Sequence, residues 1–318
     1  MALTNRQIIY TNPPTDGINP SLDGTGTFKL NSTSTNSNKV APNKLLVRVH
    51  YLSLDPAMRQ WLTAKRSYIA PVEVGAVMRG QSIAQIVAVG HNLTSTSTST
   101  STGEKFEFAP GDWVVAYSGW QEYAELGPKE VQKVVVPAGA RPTDAMSVLG
   151  MTGLTAYFGM VDVGRPREGQ TVVVSGAAGA TGMVAGQIAR VLGAKRVVGI
   201  AGSAEKCAFL VRELGFDAAV NYKDGDWKRK LKEATPEYID VYFDNVGGDI
   251  LDACLARAAR DARFVICGAI SQYNTAKPRG PASFMTVIVS CSLLPGRERE
   301  REKDWEEKKL RNSPNGSP

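Results

Sequence analysis

The stretch that most constrains this chain is residues 171–270, where strand-like and helix-like segments alternate. TVVVSG (171–176) is an unbroken apolar run, suited to a strand covered on both faces. TGMVAGQIARVLG (181–193) follows with helical spacing and stops on a glycine. Strand RVVGIAG (196–202), helix SAEKCAFLVRELG (203–215) and short strand AAVNY (218–222) come next. Helix DWKRKLKEA (226–234), strand IDVYFDNV (239–246), helix DILDACLARAA (249–259) and strand ARFVICGAI (262–270) complete the run. Five such β-α steps of about 20–25 residues predict a doubly wound parallel sheet. AMSVLGMTGLTAYFGMV (145–161) reads as a helix leading into it.

The N-terminal part has a different period. KLLVRVHYLSL (44–54), QSIAQIVAVG (81–90) and GDWVVAYSGWQEYAEL (111–126) alternate apolar and polar residues between Gly and Pro, which predicts a partly closed β-barrel or sandwich. NSTSTNSN (31–38) and TSTSTSTST (94–102) have nothing to bury and read as polar surface loops.

The turn between the first strand and first helix of the parallel sheet, SGAAGATG (175–182), can cradle a phosphate. Gly179 and Gly182 let the backbone approach a pyrophosphate, and Ala177, Ala178 and Ala180 keep the loop small. The helix that follows aims its N-terminus at the charge. Small residues in a βα turn also serve packing, so the loop gains meaning from its place at the head of five β-α steps. At the end of the second strand an NAD site carries Asp or Glu. This chain has Gly199-Ile200-Ala201-Gly202-Ser203, with no acid before Glu205. Ser203 and Lys206 suit a 2′-phosphate instead. Ser203 also fits a plain helix cap, and the two roles are compatible.

Composition excludes several alternatives. The net charge of +6 is scattered, without an aromatic-basic stripe, which argues against nucleic acid. Cys207, Cys254, Cys267 and Cys291 have no C-x-x-C spacing, and His50 and His91 lack cysteine neighbours. Neither a disulfide framework nor a zinc site is expected. The N-terminus carries no basic-apolar leader and no apolar run is long enough to cross a membrane, so a soluble, cytoplasmic protein is expected.

YLSLDPAMR (51–59), APGDWV (109–114), GWQEYAEL (119–126), LGMTGLTAYFG (149–159), VVVSGAAGATG (172–182), AGSAEK (201–206), NYK (221–223), FDNVGG (243–248) and CGAISQYN (267–274) together resemble one family. It is the zinc-independent medium-chain dehydrogenase/reductases, in the branch of alkenal double-bond and prostaglandin reductases. The resemblance covers most of residues 40–275. It implies a GroES-like β-rich catalytic domain at 1–140, a Rossmann NADP-binding domain at 141–290 and a charged tail at 291–318. It implies NADP(H) without zinc, a small enal or enone substrate, and a homodimer.

The resemblance also implies roles. Gly179, Ala180, Thr181 and Gly182 hold the pyrophosphate, and Lys206 with Tyr222 the adenosine 2′-phosphate end. Asn245 and the run Cys267, Gly268, Ala269, Ile270, Ser271, Gln272 and Tyr273 line the nicotinamide and its ribose. Tyr273 sits near the substrate carbonyl, and Tyr51 lines the pocket. A tyrosine just past the fifth strand is well placed to hydrogen-bond an enolate oxygen, either as proton donor or as a ring packed on the cofactor. Tyr51 also reads as core, Asn245 as a strand-end turn residue and Cys267 as a small filler. Tyr273 and Lys277 spell the short-chain dehydrogenase pair Y-x-x-x-K, which chance spacing explains better, because that family opens with its glycine loop.

The activity implied is NADPH-dependent reduction of the C=C bond of α,β-unsaturated aldehydes and ketones. A quinone oxidoreductase and a catalytically silent NADPH-binding protein are the alternatives. The silent reading comes from the tail. Past FMTVIV (284–289) the resemblance fades into PGREREREKDWEEKKLRNSPNGSP, which cannot supply a buried sixth strand. A chain ending this way is expected to leave a sheet edge uncovered, to be mixed in oligomeric state, and to bind NADPH and turn over poorly.

Overall fold

The computed structural model describes residues 2–64, 69–93, 97–98, 105–275 and 277–282. The tail and the FMTVIV stretch lie outside the described residues, as do most of 94–102.

The N-terminal half is antiparallel. Strands β1 (Ala2–Tyr10) and β2 (Phe28–Asn36) form a two-stranded ribbon. Five strands make a curled sheet in the order β8-β3-β4-β7-β9: β3 (Leu45–Leu52), β4 (Ser82–Val89), β7 (Trp113–Ala116), β8 (Tyr123–Leu126) and β9 (Val131–Lys133). The short strands β5 (Ser97–Thr98) and β6 (Lys105–Phe106) pair with each other. The alternating segments read from the sequence are the sheet's strands. Their inward residues Leu45, Val47, Ala84, Ile86, Val114, Ala116, Ala124 and Leu126 form its core.

One expectation is corrected. Residues 31–36 of NSTSTNSN belong to β2 rather than to a loop, pairing from Asn31↔Gln7 to Asn36↔Ala2. Threonine fits a pleated strand, and an edge needs no apolar face. The polar side chains also bond across the ribbon: Asn31 Nδ2 donates to Gln7 Oε1 (3.2 Å) and Thr33 Oγ1 to the Asn5 carbonyl (3.4 Å).

The second half is a parallel sheet in the order β12-β11-β10-β13-β14. Its strands are β10 (Thr171–Ser175), β11 (Arg196–Ala201), β12 (Ala218–Asn221), β13 (Ile239–Asp244) and β14 (Ala258–Ile266). Helix α1 (Met151–Phe158) precedes them, and α2 (Ala180–Val191), α3 (Ala204–Arg212), α4 (Trp227–Ala234) and α5 (Gly248–Leu255) connect them. Strand β10 is buried on both faces, with Val172 and Val174 in one core and Val173 in the other.

Boundaries differ from the sequence reading at two places. The first helix starts only at Met151, after a 3₁₀ turn at Pro142–Met146, and it continues as a π-turn at Gly159–Gly164. Helix α5 stops at Leu255, β14 opens at Ala258, and the strand ends at Ile266, so Cys267–Ile270 has left the sheet. The amides of Cys267 and Gly268 both donate to the Asp244 carbonyl (2.9 Å each), which turns the chain over the end of β13.

Gly186 shows how closely α2 packs. A Cβ there would come within 2.0 Å of the buried Phe216 ring. Alanine favours a helix over glycine by about 1 kcal/mol, whereas overpacking costs about 1–3 kcal/mol. The overlap is deep, so the clash wins. Gly186→Ala is expected to lower the melting temperature by about 2–6 °C, and an unchanged or raised value in a thermal scan would show that Phe216 can move aside.

Candidate active site at the sheet switch point

Strand order reverses between β10 and β13. The chain leaves β10 toward β11 on one side, and β13 lies on the other. Ligands bind such sheets in the crevice beyond the strand ends at that point. Both sides of this crevice carry residues singled out in the sequence.

On the β10 side the loop 176–179 leads into α2. Gly179 is its N-cap, exposed to solvent with Ala180. The first i→i−4 bond of the helix runs from the Met183 amide to the Gly179 carbonyl (2.9 Å). The amides of Ala180, Thr181 and Gly182 therefore precede the helical ladder and point out of the helix end. Gly182 is buried, and a Cβ on it would strike the Gly176 carbonyl oxygen at 2.3 Å and Ala177 Cα at 2.8 Å. Only glycine lets the loop fold back so tightly. The result is an open helix N-terminus under a small-residue loop, a cradle that fits a pyrophosphate by shape and by dipole.

On the β13 side a hub not recognised in the sequence holds the crevice together. Asp244 is fully buried. Its Oδ1 accepts from Ser175 Oγ (2.9 Å), Tyr242 OH (2.8 Å) and the amides of Val246 and Gly247 (2.9 Å each). Burial, then the neighbouring Cys254 and Asp244, pushes the Tyr242 phenol far up, so it stays a donor. The same buried carboxylate, after burial itself, raises the Cys254 thiol. One carboxylate thus ties the end of β10 to the turn after β13. The sequence signal was the acid closing a buried strand directly before NVGG.

Asn245 completes that tie. Its backbone amide donates to Ser175 Oγ (2.9 Å) and its Nδ2 to the Ser175 carbonyl (2.7 Å). The run Cys267–Tyr273 lies across the same turn. Ile270 N donates to the Asn245 carbonyl (3.3 Å), while Ser271 N (3.1 Å) and Ser271 Oγ (2.7 Å) donate to that of Val246. Gln272 N bonds Ala269 and Tyr273 N bonds Ile270, forming a single 3₁₀ turn. Tyr273 is half-buried, and its hydroxyl oxygen accepts from the Ala269 amide (3.2 Å). That bond leaves its own proton unused. Cys267 is exposed as a residue; partial burial of its sulfur, then Asp244, raises its thiol.

A second cluster sits at the end of β11. Ser203 caps α3, its Oγ accepting from the Lys206 amide (3.2 Å). The Tyr222 ring lies against Gly202, within 3.0–3.2 Å of where a Cβ would be. Lys206 is exposed, and among the described residues its ammonium has no ion pair.

Tyr51 is not brought to this crevice by any hydrogen bond or ring contact among the described residues. It stands 51% exposed on β3. Its neighbours His50 and Leu52 face a groove of about 390 Å³ bounded by Ile8, Val49, Trp120 and Glu122, which none of the expected cofactor residues lines. Among the described residues no group of three His, Cys, Asp or Glu could hold a metal ion, and no helix is long and apolar enough to cross a membrane.

Residues 180–307 match the family model described as zinc-binding dehydrogenase, and residues 20–134 match the N-terminal domain of oxidoreductase. The chain is 36% identical over 256 residues to the NADP(+)-dependent 2-alkenal reductase of Nicotiana tabacum, covering 80% of this chain and 70% of that one. It belongs to the zinc-independent medium-chain dehydrogenase/reductases, in the alkenal and prostaglandin reductase-like branch. The NADPH-dependent curcumin reductase of Escherichia coli is 40% identical over 239 residues, covering 75% of this chain but 65% of that protein. Among solved structures, CurA from Vibrio vulnificus in complex with NADPH superposes with a TM-score of 0.77 at 34% identity, covering 96% of this chain and 87% of that one. The medium-chain dehydrogenase/reductase architecture is thus a GroES-like antiparallel half followed by a Rossmann half.

Proposed function

We propose that the chain is an NADPH-dependent oxidoreductase that reduces the C=C bond of α,β-unsaturated aldehydes and ketones. The observation that carries this reading is the crevice itself. An open helix N-terminus under a glycine loop stands on one side of the switch point, and a free phenol on the Asp244-anchored loop stands on the other. The names of the related reductases of Nicotiana tabacum and Escherichia coli support the substrate class and the cofactor.

When bound, the nicotinamide supplies hydride to the β-carbon of the enone. The chain's residues do the rest. The amides of Ala180, Thr181 and Gly182 would hold the pyrophosphate, and Ser203, Lys206 and Tyr222 would hold the 2′-phosphate. Asn245 and the backbone of Cys267–Gln272 fix the nicotinamide end. The Tyr273 hydroxyl would donate to the substrate carbonyl oxygen, the atom on which negative charge would collect. Water then protonates the α-carbon.

NADPH absorbance is followed with 4-hydroxynonenal, with a quinone, and with no acceptor. Oxidation with the enal supports the reading. Oxidation with the quinone alone points to a quinone oxidoreductase, and tight NADPH binding with neither acceptor turning over points to a silent binding protein.

A further inference from the structure

Arg59 lies in a 3₁₀ turn, Pro56–Leu62, between β3 and β4 and is more than nine-tenths buried. Among the described residues no carboxylate pairs with it. Its Nε donates to Asn274 Oδ1 (2.9 Å), and its Nη2 donates to the carbonyls of Asp16 (2.8 Å) and Pro14 (3.3 Å). Nη1 is buried and has no partner. The charge is felt nearby, where it opposes the burial that raises the Tyr10 phenol.

A buried cation without an anion is costly, and a hydrophobic residue would fill the same space more cheaply. What a guanidinium adds is a rigid planar fork whose donors point in set directions. Here the fork reaches two carbonyls of one segment of the β-rich half, Pro14 and Asp16, and one residue 215 positions away in sequence. That residue, Asn274, is next to Tyr273.

We propose that Arg59 is a positioning residue: through Asn274 it locks the 267–274 loop, and with it the Tyr273 hydroxyl, against the β-rich half. This rests on the reading that Tyr273 serves the reaction.

Exposed Asn274 allows a test that leaves the buried arginine in place. Asn274→Ala removes the acceptor, whereas Asn274→Asp keeps it and adds the counter-charge that Arg59 lacks. Amide hydrogen exchange over 267–274 is measured for the full chain with both variants, beside steady-state kinetics with NADPH and an enal. Loss of one bond to a charged donor is expected to speed exchange in this loop about tenfold in Asn274→Ala. Exchange in Asn274→Asp should match or fall below that of the parent chain. kcat should drop about tenfold in Asn274→Ala and recover in Asn274→Asp. Exchange that is the same in all three proteins overturns the lock. A loosened loop with undiminished kcat overturns its positioning role. If the parent chain reduces no enal, the functional reading fails, and the exchange data still decide whether the lock exists.

Discussion

Tyr273→Phe is expected to lower kcat for an enone by about a hundred- to a thousandfold while leaving NADPH affinity unchanged. The phenylalanine keeps the ring and its packing and removes only the hydroxyl. That hydroxyl has two uses. Its oxygen accepts the Ala269 amide at 3.2 Å, a neutral hydrogen bond within the loop. A bond of this kind contributes about 0.5–1.5 kcal/mol, a factor of roughly 2–13. That bond leaves its proton unused, and a donor aimed at developing oxyanion charge is worth about 100- to 1000-fold in kcat. The two magnitudes separate the possibilities. A loss below about tenfold in single-turnover reduction would mean that Tyr273 only braces the loop, and that a ribose hydroxyl or water stabilises the enolate. A solvent deuterium isotope effect on kcat that disappears in the variant would strengthen the donor assignment.

Lys206→Ala is expected to weaken NADPH binding by about 10- to 150-fold and to leave NADH nearly untouched. The estimate is one hydrogen bond to a charged group, about 1.5–3 kcal/mol. The setting supports selectivity for the phosphate. Strand β11 ends in Ala201, followed by Gly202 and Ser203, with no acid to bind a ribose 2′-hydroxyl. The Ser203 oxygen is already an acceptor for the Lys206 amide, so its hydroxyl proton is available to an anion. Tyr222 walls the other side of Gly202. Because Lys206 is exposed, the discrimination should shrink as salt rises. Equal losses for both cofactors in a fluorescence titration would remove Lys206 from the phosphate site.

How much of this was legible in the sequence follows from the range over which each signal acts. Hydrophobic period is local. Val172, Val173 and Val174 mark a strand that must be covered on both faces, and the apolar-polar spacing marks Leu45–Leu52 as a strand, though Leu45, Leu46 and Val47 are buried in succession. Those patterns were enough for the two halves and the order of their elements. Glycine spacing is equally local, so the turn at Gly179 and Gly182 could be read directly. Polar composition was less reliable. NSTSTNSN looked like a loop because it buries nothing, yet as an edge strand it need only pair with β1.

The sequence by itself thus determined the parallel and antiparallel halves, the phosphate loop and the absence of an acid at the end of β11. Tertiary structure alone decided what stands beside what at the crevice. Asp244 reads as one acid among many until the fold buries it under Ser175, Tyr242 and two backbone amides. Arg59 and Asn274 are 215 residues apart, and nothing in their local patterns links them. Tyr51, which the resemblance places beside the substrate, stands 51% exposed on β3, and its burial could not be read from the alternation of that strand. The physical reason is the same in each case. Period and turn chemistry act over a few neighbours along the chain, whereas a buried polar bond forms only when the finished packing closes around both partners and excludes water.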